Sequence, residues 1–394
     1  CGGPTAVVNV TLAGFVGAAR RTGGVVGIAG GPAGLAAGSY RSLDHVSLDE
    51  IALRPGAWLG AGRHPMSGLD LASAASHLAE AGIHELAVIG GNGSMHLAGQ
   101  LRAAARAHGR ALSVVGIPKT VDNDLLGTDH SPGFLTAASY LRWAVGSLWL
   151  DHVAMRSIER VRIIETLGRD TGWLAMSAAA SRRDPADPPH LVYVPERPFA
   201  IDEFLADVDD TCRQLGSALV VVAEGAAPGL SSSDFGTPSF DRPIPGGVSH
   251  VLAAAVRAHL HLEVRVEVLG LIQRSARPPG TTVDVIEAEA VGRRGAELLA
   301  AGVDDVMVTI ERGAGSPYSA TFRTTWLAAV AGQTRRVPDS WVPPPAGFPT
   351  ELQAWLEPML HPPRDSPLAD LDLDPVGSPA GRHPSAPLEQ EMTP

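Results

Sequence analysis

Short apolar runs rich in Val, Ile and Leu alternate with Ala-rich amphipathic stretches along most of this chain, and that alternation restricts the fold more than any other feature. Runs at 86–89, 112–117, 161–166, 190–194, 218–223, 264–272 and 305–310 read as strands. Stretches at 69–81, 95–108, 135–157, 172–181, 201–215, 248–261 and 285–301 read as helices. Strands alternating with helices of this length form βαβ units, whose crossover helices bury both faces of a parallel sheet. The expected class is therefore α/β, and 394 residues suit about two such domains. In parallel sheets ligands bind beyond the carboxyl ends of the strands, so the informative residues should directly follow the apolar runs.

Composition narrows the functional classes. A net charge of −11 argues against a nucleic-acid partner or an anionic membrane partner. Anionic ligands must then be caught by local arginines. Two cysteines, Cys1 and Cys212, cannot build a disulfide framework or a four-cysteine zinc site. There is no apolar run of about 18 residues and no secretory signal pattern, so a cytoplasmic protein is expected. Lys119 is the sole lysine among 31 basic residues. A compact ammonium differs from a planar guanidinium, so its survival marks a place where the difference matters, or chance. The stretch 225–247, rich in Gly, Ser and Pro, reads as a long loop suited to a lid, and 358–394 as a disordered Pro-rich tail.

Two strand ends carry the chemistry. The run "ELAVIG" is followed by Gly90-Gly91-Asn92-Gly93-Ser94 and then a helix. Such a turn lets backbone N–H groups approach a phosphate, and the helix dipole favours the anion. It also serves purely conformational ends, and no GxxxxGK(S/T) pattern is present. The run "LSVVGI" is followed by Pro118-Lys119-Thr120-Val121-Asp122-Asn123-Asp124. There one carboxylate can take a proton from an attacking hydroxyl, another can hold Mg²⁺, and the ammonium can neutralise a transferred phosphoryl group. A solvated Asx-rich turn fits less well, because the cluster ends a buried strand. Arg160, Arg162, Arg169, Arg265, Arg274 and Arg277 sit at further strand ends and, as a set, suit a sugar phosphate; Glu224 suits sugar hydroxyls.

These segments resemble the phosphofructokinase family over roughly residues 1–330. "GGNGS" resembles its GGDGS nucleotide loop, "GIPKTVDNDLLGTDHSPGFLTA" its catalytic stretch and "IETLGRDTGW" its MGR segment. "VVAEGA" resembles its sugar-contacting glutamate segment and "LGLIQRSARP" its IQRGG segment; "GGPTAVVN" and "GAWLGAGRH" resemble its opening glycine turn and its phosphate-reaching arginine. The resemblance implies two Rossmann-like parallel-sheet domains with the active site in the cleft between them. It assigns 1–127 plus 243–290 to a phosphate-donor domain and 128–242 plus 291–350 to a sugar-phosphate domain. It also implies a strand preceding the first glycine turn, upstream of Cys1.

Carried over by position, Asp122 resembles the general base, acting with Lys119, Thr120 and Arg169 as the catalytic set. Gly3, Arg63, Gly91, Gly93 and Ser94 resemble donor contacts. Thr120, Asp122, Arg160, Gly168, Arg169, Glu224, Arg265 and Arg274 resemble acceptor contacts, and Asn92 and Asp124 the metal positions. The family arginines matching Arg160 and Arg265 reach a neighbouring subunit's site, which implies a homodimer or homotetramer with shared active sites. The implied activity is phosphoryl transfer from Mg-ATP to a hydroxyl of fructose 6-phosphate or a related ketose phosphate. Pyrophosphate is the alternative donor: Gly93 leaves room for a nucleotide α-phosphate, whereas Lys119 is associated with pyrophosphate users. Asn92 replaces a metal-binding aspartate and Leu271 a His or Tyr beside the acceptor phosphate. These departures leave open a repurposed biosynthetic kinase or pyrophosphokinase, and a catalytically silent regulatory paralogue.

Overall fold

The computed structural model describes residues 2–54, 56–230, 247–278, 281–315 and 317–360. Its first part contains α1 (Val8–Ala19), β1 (Val26–Ile28), α2 (Gly31–Ala36), β2 (Tyr40–Ser42), α3 (Leu48–Leu53), α4 (Gly68–Glu80), β3 (Glu85–Gly90), α5 (Asn92–Ala107) and β4 (Ser113–Pro118). The middle comprises α6 (Phe134–Met155), β5 (Val161–Thr166), α7 (Trp173–Ala178), β6 (Leu191–Tyr193), α8 (Ile201–Leu215), β7 (Ala218–Ala223), α9 (Val248–Leu260) and β8 (Val264–Val268). It ends with α10 (Ile272–Ser275), α11 (Thr282–Ala300), β9 (Val306–Arg312), β10 (Ala320–Trp326), α12 (Leu327–Val330) and α13 (Thr350–Leu360).

Two four-stranded sheets carry the architecture, in the orders β10-β9-β4-β3 and β6-β7-β5-β8. Every pair in the second sheet is parallel. Its central strands β5 and β7 are buried along their whole length, as strands covered on both faces must be, although β5 takes Arg162 and Glu165 into that interior. In the first sheet β3, β4 and β9 are parallel and β10 is antiparallel. The other side of β3 borders an apolar cavity of about 740 Å³ lined by α1, β1 and α5 residues, which none of the expected donor residues enters.

Local rules explain the helices. Ser67 and Asp70 cap α4 reciprocally, with Ser67 N–H donating to Asp70 Oδ2 at 2.8 Å and Asp70 N–H to Ser67 Oγ at 3.2 Å. Helix α8 buries Phe204, Leu205, Val208 and Cys212 on one face and stops at Gly216, whose φ of 84° favours glycine. Helices α1 and α11 pack so closely that a Cβ at Gly292 would lie 2.1 Å from Thr11 O. Phe134, Trp173, Trp341 and Trp355 stack with centroid separations from 5.3 to 6.4 Å. Truncating Trp173, which is fully buried, would cost about 3–5 kcal/mol.

Strand pairing corrects the expected segment boundaries. β8, grouped by sequence with the donor segment 243–290, pairs with β5. β9 and β10, grouped with 291–350, complete the sheet of β3 and β4. Sheet membership is decided by long crossovers that leave no local mark. The expected strand 264–272 ends at Val268, because Ile272 opens a short helix. Helix α13 reaches Leu360, past the expected start of the tail. Residues 231–246 of the expected lid and 361–394 of the expected tail lie outside the described residues.

Candidate active site

Four segments converge at the carboxyl ends of β3, β4, β5 and β7. Beyond β3, Gly91 precedes the first turn of α5, and its missing side chain faces Lys119 O and Thr120 Cβ, each 3.6 Å from a Cβ built there. Lys119 N–H donates to Gly90 O at 3.0 Å, which locks the first two segments together. A Cβ at Gly93 would meet nothing within 4 Å, so open space lies over this turn. Ser94 is buried behind it.

Beyond β4 the chain turns sharply. Asn123 is fully buried with φ of 56°, a left-handed conformation that Asn tolerates, and its Oδ1 accepts from Ser131 N–H at 3.1 Å. Asp122 N–H donates to Thr120 Oγ1 at 3.1 Å. Burial raises the Asp122 carboxyl well above the usual range, and the neighbouring Asp124 raises it further; Lys119 and Arg63 oppose this. Burial likewise raises Asp124, whose Oδ1 has no hydrogen-bond partner. Lys119 is 4% exposed, and its Nζ donates to Gly3 O at 2.7 Å. Burial pushes its ammonium down to about 8; the two aspartates pull upward, and Arg274 and Arg63 push further down. A Cβ at Gly3 would lie 2.2 Å from Arg274 Nη1, so only glycine leaves space for that guanidinium.

The segments expected to hold the acceptor follow β5 and β7. Gly168 has φ of 135°, and Gly225 N–H donates to Gly168 O at 3.2 Å. Glu224 N–H donates to Thr166 O at 2.9 Å. Its carboxyl rises to about 7, through burial first and the Asp122 charge second, while the Gly168 N–H and Arg169 lower it. Thr171 Oγ1 donates to Asp122 O at 3.1 Å, tying this segment to the catalytic turn. Behind the turn, His130 is fully buried between Asp129 Oδ1 at 2.8 Å and Glu287 Oε2 at 2.6 Å. Burial pushes the imidazole down, but Glu287 and Asp129 outweigh it and raise its pKa to about 9.

The site therefore brings together Gly3, Arg63, Gly91, Gly93, Lys119, Thr120, Asp122, Asp124, Gly168, Arg169, Glu224 and Arg274. Three expected residues stand apart. Arg160 precedes β5 and donates to Gly216 O and Cys212 O at 3.0 Å each, capping α8. Arg265, near the start of β8, binds Glu159. Both lie at the amino edge of their sheet, at the end away from the site. Asn92, expected at the metal, has both amide atoms occupied: Gly332 N–H donates to Oδ1 at 2.8 Å, and Nδ2 donates to Gln333 O. Among the described residues no group of three His, Cys, Asp or Glu could hold a metal ion. Sequence reasoning passed over Asp170, whose charge reaches both Asp122 and Asp124; its place directly after Arg169 was the available signal. It also passed over Arg335, whose N–H donates to Asp124 O at 2.8 Å and which no local pattern marks.

Comparison with known proteins places the chain in a family. The family profile for phosphofructokinase matches residues 1–299. The chain is 37% identical to a sulfofructose kinase of Alkalicoccus urumqiensis, covering 86% of this chain and 90% of that protein. It is 33% identical to an ATP-dependent 6-phosphofructokinase of Corynebacterium efficiens, covering 88% and 96%. The crystal structure of a pyrophosphate-dependent phosphofructokinase from Marinobacter aquaeolei superposes with a TM-score of 0.81 at 28% identity, covering 91% and 89%. Profile, sequence and fold agree over the segments that build the site, and the chain belongs to the phosphofructokinase family.

Proposed function

We propose that this protein transfers a phosphoryl group from Mg-ATP to a hydroxyl of fructose 6-phosphate or a closely related ketose derivative. The observation that carries the reading is the buried Lys119–Asp122–Asp124 cluster, set against the Gly3 and Gly91 turns on one side and Glu224 on the other. Asp122 accepts the proton of the attacking hydroxyl as the new O–P bond forms and the bond to the leaving nucleoside diphosphate breaks. A base whose pKa burial has raised toward the working pH suits that task. Lys119, Arg63 and Arg274 offset charge on the transferred group, and the N–H groups opening α5 receive donor phosphate oxygens. Arg169, Gly168 and Glu224 hold the acceptor. Asp124, with its unpartnered buried Oδ1, would help to hold Mg²⁺, which would neutralise phosphate charge; Asn92 does not fit that role.

The open space over Gly93 supports ATP, since an α-phosphate can pass there. Pyrophosphate is the second donor reading, supported by Lys119 in the cluster and by the pyrophosphate-dependent structural neighbour. A sulfonated acceptor is favoured by a different observation. Leu271, 59% exposed beyond β8, presents hydrocarbon at the position that resembles the family's His or Tyr beside the acceptor phosphate. A sulfonate carries one charge where a phosphate carries nearly two at neutral pH. Arg160 and Arg265, facing away from their own site, together with the exposed Trp143, Leu150 and Ile158, support a homodimer or homotetramer whose arginines complete a neighbour's acceptor pocket. Phosphorus NMR with ATP or pyrophosphate against fructose 6-phosphate and 6-sulfo-fructose tests the reading. A new phosphate ester is expected, and no turnover with any pair would favour a silent paralogue.

A further inference from the structure

Residues 332–337 hold none of the reacting groups, yet they touch the segments that follow β3, β4 and β5. This stretch leaves α12 on the first sheet and runs toward α13, which packs against α6 and α7. Gly332 N–H and Gln333 O together clamp the side-chain amide of Asn92, the first residue of α5. Arg335 N–H donates to Asp124 O at 2.8 Å, and Arg335 O accepts from Trp173 Nε1 at 3.2 Å. The Arg335 guanidinium lies 4.4 Å from the Trp173 ring centroid and 6.0 Å from that of Trp355. Arg336 Nη2 donates to Pro195 O at 2.8 Å, and Val337 N–H to Glu196 Oε1 at 3.1 Å; that oxygen also accepts Gly172 N–H at 2.9 Å. The donor turn, the catalytic turn and the acceptor turn are thus pinned to one stretch of six residues.

We propose that Asn92 is a positioning residue that fastens the donor turn to the strap 332–337, rather than a ligand of the divalent cation, and that Arg335 carries this restraint to Asp124 and Trp173. The clamp needs an amide: an oxygen to accept from Gly332 N–H and an N–H to donate to Gln333 O. Aspartate, the better ligand for a hard cation, would set its second oxygen against the Gln333 carbonyl. Because the strap joins both substrate sides, loosening it at Asn92 should weaken the hold on donor and acceptor together, as coupled sites require.

The proposal rests on the two-substrate transferase reading, and its test separates the two. Hydrogen exchange on the unliganded protein needs no substrate: Arg335→Met is expected to speed exchange of the amides at 92–95 and 124, and Asn92→Ala that of 332–337. Unchanged exchange in both variants overturns the strap, whatever the enzyme catalyses. In kinetics, Asn92→Ala and Asn92→Asp should each raise the KM of both substrates by about 3- to 10-fold, the size of ordinary hydrogen bonds lost. The half-saturating Mg²⁺ concentration should stay within about twofold, since no cation ligand has changed. The double variant N92A/R335M should lose less than the sum of its parts. A lower Mg²⁺ requirement in Asn92→Asp would overturn the proposal and return Asn92 to the metal.

Discussion

Gly93→Asp isolates the donor-selection argument, because the fold itself has no objection to the new side chain. A Cβ there meets nothing within 4 Å, and the position lies in the first turn of α5. Replacing glycine by aspartate in a helix gains about 0.3 kcal/mol, because aspartate is itself a weak helix former, and a carboxylate in a first turn gains about 0.3–1 kcal/mol more. The melting temperature should therefore hold or rise. The same carboxylate would stand where the α-phosphate of ATP passes. Two unit charges about 4 Å apart repel by about 1 kcal/mol in bulk water and about 4 kcal/mol near a protein surface. The turn is half open to solvent, so a loss of about 10- to 100-fold in kcat/KM for ATP is expected. Pyrophosphate has no α-phosphate and should lose no more than about threefold, the share expected from more distant charges. Both donors are to be assayed on one acceptor, with thermal melting in parallel. Equal losses with ATP and pyrophosphate in a protein of unchanged stability would refute the steric and electrostatic reasoning.

Three further outcomes follow from the site. Asp122→Asn should lower kcat by about 10²- to 10⁴-fold while the protein still binds the acceptor by calorimetry; near-normal turnover would remove Asp122 as the base. Glu224 has a folded pKa raised to about 7, so its contribution is most favourable below its unfolded value and stability is lost as pH rises from about 4.5 to 7. Glu224→Gln should flatten about 1–3 kcal/mol of that decline in urea unfolding, and an identical profile in the variant would rule the effect out. His130 is also raised, to about 9, so its charged pairs stabilise fully below about 6.5 and are lost as pH climbs through 9. His130→Gln should erase that alkaline decline, again about 1–3 kcal/mol, and should leave the protein less stable at pH 6. A variant as stable as the parent at pH 6 would mean that the pairs with Asp129 and Glu287 contribute nothing net.

Much of this architecture is legible in the chain because its strands are buried on both faces. The runs ending in Gly90, Pro118, Thr166 and Ala223 advertise themselves by their Val, Ile and Leu, although β5 also holds Arg162 and Glu165, and the site residues stand directly behind them. Strand β10 escapes such reading: it is an edge strand whose Thr and Arg side chains face solvent, so no apolar alternation marks it. Helix α13 carries Pro358 and precedes a Pro-rich stretch, which masks its buried Leu352, Leu356 and Met359. The grouping of β8 with β5, and of β9 with β4, depends on which sheet each crossover returns to, a global choice with no local cause. The partners of Asn92 are hidden in the sequence for a similar reason. Its type and place suit a cation, but the partners that claim both of its polar atoms arrive 240 residues later in the chain.

The burial of Lys119 also changes what amine chemistry can do to this protein. At pH 8 an ordinary lysine is only about 0.4% unprotonated, whereas one with a pKa of about 8 is roughly half free base. No other ε-amine exists among these 394 residues. An acylating reagent small enough to enter the cleft would therefore find its most nucleophilic side-chain amine at the phosphate site. Acylation of Lys119 would be gated by whatever ligand occupies that cleft, so the mass increment on the peptide that carries it, counted apart from that on the α-amine, could report occupancy without a substrate assay. Surface immobilisation, crosslinking and labelling through lysine have no other side-chain amine to use.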